Sequence, residues 1–124
     1  MSVKVLIVED DPPLNEVYEL LLSEQGYDVA VAFDGEEALS KTKQFEPDLI
    51  LLDLLMPNMG GIEFLEKYDL VKLHPNTKVI VFSNLDTRKD IDMVYELGVQ
   101  KYMLKSWASP KELLNIVEDV LAGE

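Results

Sequence analysis

Ile50-Leu51-Leu52-Asp53-Leu54-Leu55-Met56-Pro57 is the stretch from which the fold can be read. A run this apolar, with no polar alternation, needs cover on both faces, as a strand in a parallel sheet flanked by helices has. The run is broken by a single carboxylate, Asp53, and a turn and a proline follow it. Open α/β sheets carry their chemistry at the carboxyl ends of the strands, so Asp53 is the first candidate for a functional residue. The plainer reading, that it only solvates a strand end, is weighed by what stands at the ends of the other strands.

Outward from that stretch the pattern repeats. Residues 3–8 form an apolar run broken only by Lys4, and Glu9, Asp10 and Asp11 follow at once. Pro12 and Pro13 then open a helix, because a proline there leaves no amide without a partner. Leu14, Val17, Tyr18, Leu21 and Leu22 share one face of it, and Gly26 ends it. Asp28–Ala32 reads as a second strand through its β-branched Val29 and Val31. Asp34 with Glu37 three positions on is a capping-box pattern, and the helix it opens carries Ala38, Leu39, Thr42 and Phe45 and stops before Pro47.

After the Leu49–Leu52 strand and the turn at residues 57–61, a third helix places Ile62, Leu65 and Tyr68 inward and breaks at His74-Pro75-Asn76. Residues 78–82 are the fourth strand, ending at Ser83. A fourth helix, from about Asp86 to Gly98, has Ile91, Val94, Tyr95 and Leu97 as its apolar positions. Lys101–Leu104 is a short fifth strand ending at Lys105. Ser109-Pro110-Lys111-Glu112 is a second capping box, opening a last helix that buries Leu113, Ile116, Val117, Val120 and Leu121. Five strands alternating with five helices predict an α/β fold: one domain over residues 1–124, a doubly wound parallel sheet in a three-layer sandwich, flavodoxin-like in its strand order 2-1-3-4-5.

Composition limits the function classes. The 124 residues include 24 acidic against 11 basic ones, a formal charge of -13. That field repels phosphate backbones and anionic lipid, so direct nucleic-acid binding is not expected. No cysteine is present, which removes disulfide scaffolds and thiol chemistry. Met1-Ser2-Val3-Lys4 lacks the apolar core of a signal peptide, and no run of about 18 apolar residues exists. A cytoplasmic protein without membrane contact is expected.

In a parallel sheet all carboxyl ends lie on one rim. Glu9 and Asp10 follow the first strand, Asp53 the third, Ser83 the fourth and Lys105 the fifth. With strands one and three adjacent at the switch point, three carboxylates share a small cleft. Their mutual repulsion is removed by a hard divalent cation, and Mg2+ suits a site of one or two carboxylates, water and a phosphate oxygen. Such a set fits attack of the Asp53 carboxylate on a phosphoryl group, with Lys105 and the Ser83 hydroxyl near the phosphoryl oxygens. Each residue also has a duller reading: a solvated loop, a turn serine, a surface lysine. It is their joint placement at the ends of the correct strands that argues for chemistry.

These residues carry a resemblance. Val8-Glu9-Asp10-Asp11, Asp53 with Met56-Pro57 and Gly61, Val81-Phe82-Ser83, and Tyr102-Met103-Leu104-Lys105 stand in the order and at the intervals of bacterial two-component response-regulator receiver domains of the CheY-like kind. The chain resembles that family over its full length. The resemblance implies that Asp53 accepts a phosphoryl group from a sensor histidine kinase, a histidine phosphotransfer protein or a small phosphodonor, as a phosphoacceptor rather than a turnover enzyme. It implies Mg2+ held by Glu9, Asp10, Asp53 and the Leu55 backbone carbonyl, with Ser83 and Lys105 on the phosphoryl oxygens. It further implies Tyr102 as an aromatic switch, read by a downstream protein on the face of the fourth helix, fifth strand and fifth helix.

The pattern is broken in four places. Ser106 follows Lys105 where the family usually has proline, often after a cis bond; Asn84 replaces a small residue; Gly60 replaces a frequent acid; and Leu55 and Leu85 occupy the positions flanking the path of the attacking water. Neither leucine orients water, so a long-lived phosphoryl state is expected. Trp107, beside the expected output face, is a candidate partner contact or a core-covering aromatic, and His74 is expected at the surface with no catalytic part. An aspartate-nucleophile phosphatase of the haloacid dehalogenase type needs a second Asp where Leu55 stands. A flavodoxin needs a phosphate loop where Glu9-Asp10-Asp11 would repel one. No Gly-rich nucleotide loop is present. The remaining rival is a receiver-like interaction module that is not phosphorylated.

Overall fold

The computed structural model describes residues 2–85 and 87–123. Its elements run β1 (Lys4–Val8), α1 (Pro12–Glu24), β2 (Asp28–Ala32), α2 (Gly35–Phe45), β3 (Leu49–Leu52), α3 (Gly61–Tyr68), α4 (Leu70–Leu73), β4 (Lys78–Ser83), α5 (Arg88–Glu96), β5 (Lys101–Leu104) and α6 (Pro110–Leu121). The sheet order is β2-β1-β3-β4-β5, with every pair parallel, as the alternating pattern predicts.

Strand parity divides the core in two. Successive side chains on a strand point to opposite faces. Val5, Ile7, Leu49, Leu51, Ile80 and Phe82 therefore meet Tyr18 and Leu22 of α1 and Leu113, Val117 and Val120 of α6 on one side. Leu6, Val8, Ile50, Leu52, Val79 and Val81 meet Ala38 of α2, Phe64 and Leu65 of α3, Leu70 of α4 and Val94 of α5 on the other. β3 is buried at all four positions, which is why the opening stretch shows no alternation.

The helix ends follow their sequence signals. Asp34 caps α2 by accepting the Glu37 amide at 2.8 Å. The return arm from Glu37 goes to the Phe33 amide, at 2.8 Å, one residue before the expected place. Ser109 and Glu112 form the full reciprocal box on α6. The Glu37 amide, and after it the Asn58 side chain, holds the Asp34 carboxyl below the usual aspartate range. Asp34→Ala should therefore lower stability by about 1 kcal/mol, measured by urea unfolding. Because the folded carboxyl titrates lower than the unfolded one, the cap contributes fully above the ordinary aspartate pKa and fades as pH falls through the lowered folded value. An unfolding difference between the two proteins that stayed the same into strong acid would remove the carboxylate from this role.

Three local expectations are corrected, and a fourth falls partly outside the described residues. Val17 is 47% exposed, and the neighbouring Asn15 is buried instead, its Nδ2 donating to the carbonyls of Glu9 at 2.9 Å and Ala32 at 3.2 Å. The third helix breaks early, at Asp69 in the left-handed region (φ 54°), and restarts as the single turn α4. The start of α5 is Arg88, and Asp86, where the fourth helix was expected to begin, lies outside the described residues. His74 is half-buried, its ring stacked on Tyr68 at 3.8 Å between centroids. Tyr68 in turn donates to or accepts from Thr77 at 3.3 Å. No described helix is long and apolar enough to cross a membrane.

Candidate functional site

The site grows out of three strand ends. Beyond β1, β3 and β5 the ladder continues by one residue: the Glu9 amide donates to the Ala32 carbonyl (3.0 Å), Asp53 to Val8 (2.9 Å) and Lys105 to Ser83 (3.0 Å). Parity therefore continues as well. Glu9 follows Val5 and Ile7, Asp53 follows Leu49 and Leu51, and Lys105 follows Met103, all on the side covered by α1 and α6. Ser83 follows Val79 and Val81, on the side of α5, as Tyr102 does.

On the first side the charged groups converge. Glu9 is 2% exposed and Asp53 6%. Lys105 Nζ donates to Glu9 Oε1 and, at 3.1 Å, to Asp53 Oδ2. The other oxygen of each carboxylate takes a backbone amide, Asp11 to Glu9 Oε2 at 3.1 Å and Leu55 to Asp53 Oδ1 at 3.4 Å. Asp10 joins from the rim, and one oxygen of each of Glu9, Asp10 and Asp53 lies within 4.8 Å of the others. The chain after Asp53 turns so tightly that a Cβ on Gly61 would come within 2.5 Å of the Asp53 carbonyl oxygen, so only glycine fits there.

Electrostatics follow from burial and crowding. Burial raises the Glu9 pKa, and the negative charge of Asp53 adds to the rise while the Lys105 bond opposes it. Burial pulls Lys105 down, but its bond to Glu9 and the charge of Asp53 outweigh this and hold it above the ordinary lysine value. Tyr18, packed edge-on against Phe82 at 5.5 Å, is raised by burial and then by the charges of Glu9 and Asp53, so its phenol stays neutral. Three carboxylates against one ammonium leave the cluster net negative, with oxygen donors close enough for one ion. Those donors fit a hard divalent cation.

Of the expected residues, Glu9, Asp10, Asp53 and Lys105 are brought together. Ser83 is at the adjacent strand end, 0% exposed, its Oγ accepting the Leu85 amide at 3.4 Å rather than touching the charged cluster. Leu55 is exposed beside Asp53, Leu85 is half-buried and Asn84 is exposed. The Lys105–Ser106 bond is trans, as no described peptide is cis. Trp107 is 76% exposed and covers no core. Sequence reasoning missed Asn15, which ties α1 to the turn after Glu9; a buried asparagine amid leucines at helical spacing was the available signal. It also missed the tie between the loops flanking the site, in which Asn58 donates to Asp34 at 3.1 Å and the Gly35 amide to the Met59 carbonyl at 2.8 Å.

Comparison with known proteins agrees with this geometry. A family model described as the response regulator receiver domain matches residues 5–118. The DNA-binding response regulator MtrA of Mycolicibacterium smegmatis is 32% identical over 92% of this chain and 48% of its own length. The alkaline phosphatase synthesis transcriptional regulatory protein PhoP of Bacillus subtilis is 36% identical over 98% of this chain and 49% of its own. The chain thus spans about half the length of these relatives. A CheY-like receiver domain protein from Methanospirillum hungatei superposes with a TM-score of 0.91 at 27% identity, covering 99% of this chain and 96% of that one. The chemotaxis protein CheY4 of Vibrio cholerae gives 0.88 at 27% identity, over 97% of this chain and 99% of that one. With its sheet order, its rim of three carboxylates and a lysine, and these matches, the chain belongs to the response regulator receiver domain family.

Proposed function

We propose that the chain, as a single receiver unit over residues 1–124, is a phosphorylation-dependent signalling switch with Asp53 as phosphoacceptor. One observation carries the reading: the convergence of Glu9, Asp10 and Asp53 within 4.8 Å, with Lys105 Nζ on two of them. An Asp53 carboxylate oxygen attacks phosphorus as the bond to the donor breaks, a P–N bond in a phosphohistidine or a P–O bond in an acyl phosphate. The electron pair leaves with the donor, as an imidazole that takes a proton from solvent or as a carboxylate that leaves as the anion. Lys105 offsets negative charge on the phosphoryl oxygens, and the Ser83 hydroxyl donates to one of them once released from the Leu85 amide. Glu9, Asp10, Asp53 and the Leu55 carbonyl would hold Mg2+, whose positive charge lowers the repulsion between the carboxylates and the incoming phosphoryl group.

Switching is a biased two-state equilibrium. Ser83 and Tyr102 share the α5 side of the sheet, so drawing Ser83 toward Asp53 opens room into which Tyr102 turns, repacking the face of α5, β5 and α6. A sensor histidine kinase or phosphotransfer protein is the donor, and a downstream protein reads that face. The cytoplasm is the compartment in which such a kinase meets this chain. Two relatives are named as a DNA-binding and a transcriptional regulator. The formal charge of -13 assigns any such contact to a partner or to a segment other than this one.

Incubation with Mg2+ and acetyl phosphate, followed by intact mass, should add a single phosphoryl group. No addition, from acetyl phosphate or from any histidine kinase, would leave the rival reading of an interaction module that is not phosphorylated. The phosphoryl state should also be long-lived. Leu55, beside Asp53, and Leu85 occupy the two positions that in the family flank the path of the attacking water, and neither side chain donates or accepts to align it. Leu55→Glu should shorten the lifetime of the isolated phosphorylated protein by about tenfold, followed by loss of the added mass with time. Rapid loss from the wild type would overturn this.

A further inference from the structure

One tyrosine outside the charged site makes a bond the switch does not yet use. Tyr95 lies in the last turn of α5, was read as one of that helix's apolar positions, and is 45% exposed. Its phenol oxygen accepts the Tyr102 amide proton at 3.1 Å. The amide of Lys105 points into the sheet, toward Ser83, so by alternation along β5 the Tyr102 amide points outward, off the edge of the sheet. An outward amide on an edge strand normally meets solvent or invites another strand. Here a side chain from the neighbouring helix takes it, at the one residue of β5 to which the switch role is given.

The two ends of α5 differ. At the C-terminal end the Leu97 amide donates to Met93 (3.1 Å), Gly98 to Tyr95 (3.0 Å) and Val99 to Val94 (3.2 Å). Val94 is the buried residue of the helix, and Gly98, at φ 99°, lies so close to α4 that a Cβ there would sit 3.0 Å from Val71 Cγ2. At the other end, Thr87 makes no capping bond to the backbone, its hydroxyl donating instead to the Asp90 carboxylate, and Arg88 is exposed. That end follows the loop leaving Ser83.

We infer that Tyr95 is a positioning residue of the output face: it pins the last turn of α5 to β5 at Tyr102, so that α5 moves as a lever about its C-terminal end. The pin stands on the structure alone; its use in signalling rests on the phosphoryl switch proposed above. Motion that begins at Ser83 reaches the nearer, loosely held end of the helix first. The far end keeps its distance from β5, so Tyr102 turns its side chain about a fixed backbone.

Tyr95→Phe keeps the ring and removes only the acceptor. Amide hydrogen exchange on isotope-labelled protein should show the Tyr102 amide exchanging about fivefold to tenfold faster in the variant, with Met103, bonded into the sheet, within about twofold. Both unchanged would overturn the pin. So would both rising together in step with a loss of global stability, since a packing role alone predicts that. In a second arm, Mg2+ with beryllofluoride serves as a stand-in for the phosphoryl group. Wild-type amide shifts should be larger over residues 88–92 than over 95–98, and Tyr95→Phe should spread them into 95–98. Equal shifts over both halves in the wild type would overturn the lever. If the wild type shows no shift anywhere, the phosphoryl reading fails, and the Tyr102 exchange rate decides the pin by itself.

Discussion

Asp53→Asn protein is expected to take up no phosphoryl group from acetyl phosphate and Mg2+, while unfolding in urea within about 1 kcal/mol of the wild type. Asparagine has the shape of aspartate, so packing at the end of β3 is kept. Its amide oxygen carries no charge to attack phosphorus, and transfer to it would create no acyl phosphate. The electrostatic changes oppose one another. The variant loses the 3.1 Å contact with Lys105, and it also loses the repulsion from Glu9 and Asp10. Near-wild-type stability with no added mass identifies a chemical loss. An added phosphoryl group in this variant would place the nucleophile elsewhere and end the present assignment.

Lys105→Met should have the largest effect on stability. Lys105 is the ammonium in contact with Glu9 and Asp53, whose side chains are 3% and 7% exposed. Removing it leaves buried carboxylates facing each other without a counter-charge, a change that costs about 3 kcal/mol in comparable sites. Protonation of Glu9, which burial already favours, absorbs part of that cost at lower pH. Mg2+ should restore much of the lost stability and stabilise the variant more than the wild type, since the wild-type ammonium competes for the same oxygens. Thermal unfolding with EDTA and with Mg2+ tests this. Equal midpoints for variant and wild type in EDTA would mean that the lysine does not hold the cluster together.

Much of this was legible from residues alone because the signals are local. Apolar runs bounded by glycine and proline marked the strands and helices, and two capping patterns marked helix starts to within a residue. The rim positions were legible because a parallel sheet sends every carboxyl end the same way. What failed was failure of context. Val17 has the right spacing for a core position, but Asn15 takes the inward place because two backbone carbonyls, from Glu9 and Ala32, need its amide. Tyr95 has helical spacing too, yet its hydroxyl draws it to the edge of β5. The early break at Asp69 has no proline or glycine to announce it.

The sequence by itself determined the order of strands and helices, the single sheet they form, and which few polar residues stand where strands end, since each depends on neighbours in the chain. Only the tertiary structure decided that Lys105 reaches Glu9 and Asp53, 96 and 52 positions away, while Ser83 stands apart on the face it shares with Tyr102. Register is the physical reason. A side chain's face is set by its parity on a strand whose pairing fixes it, and a shift of one residue would send the same charges to opposite sides of the sheet.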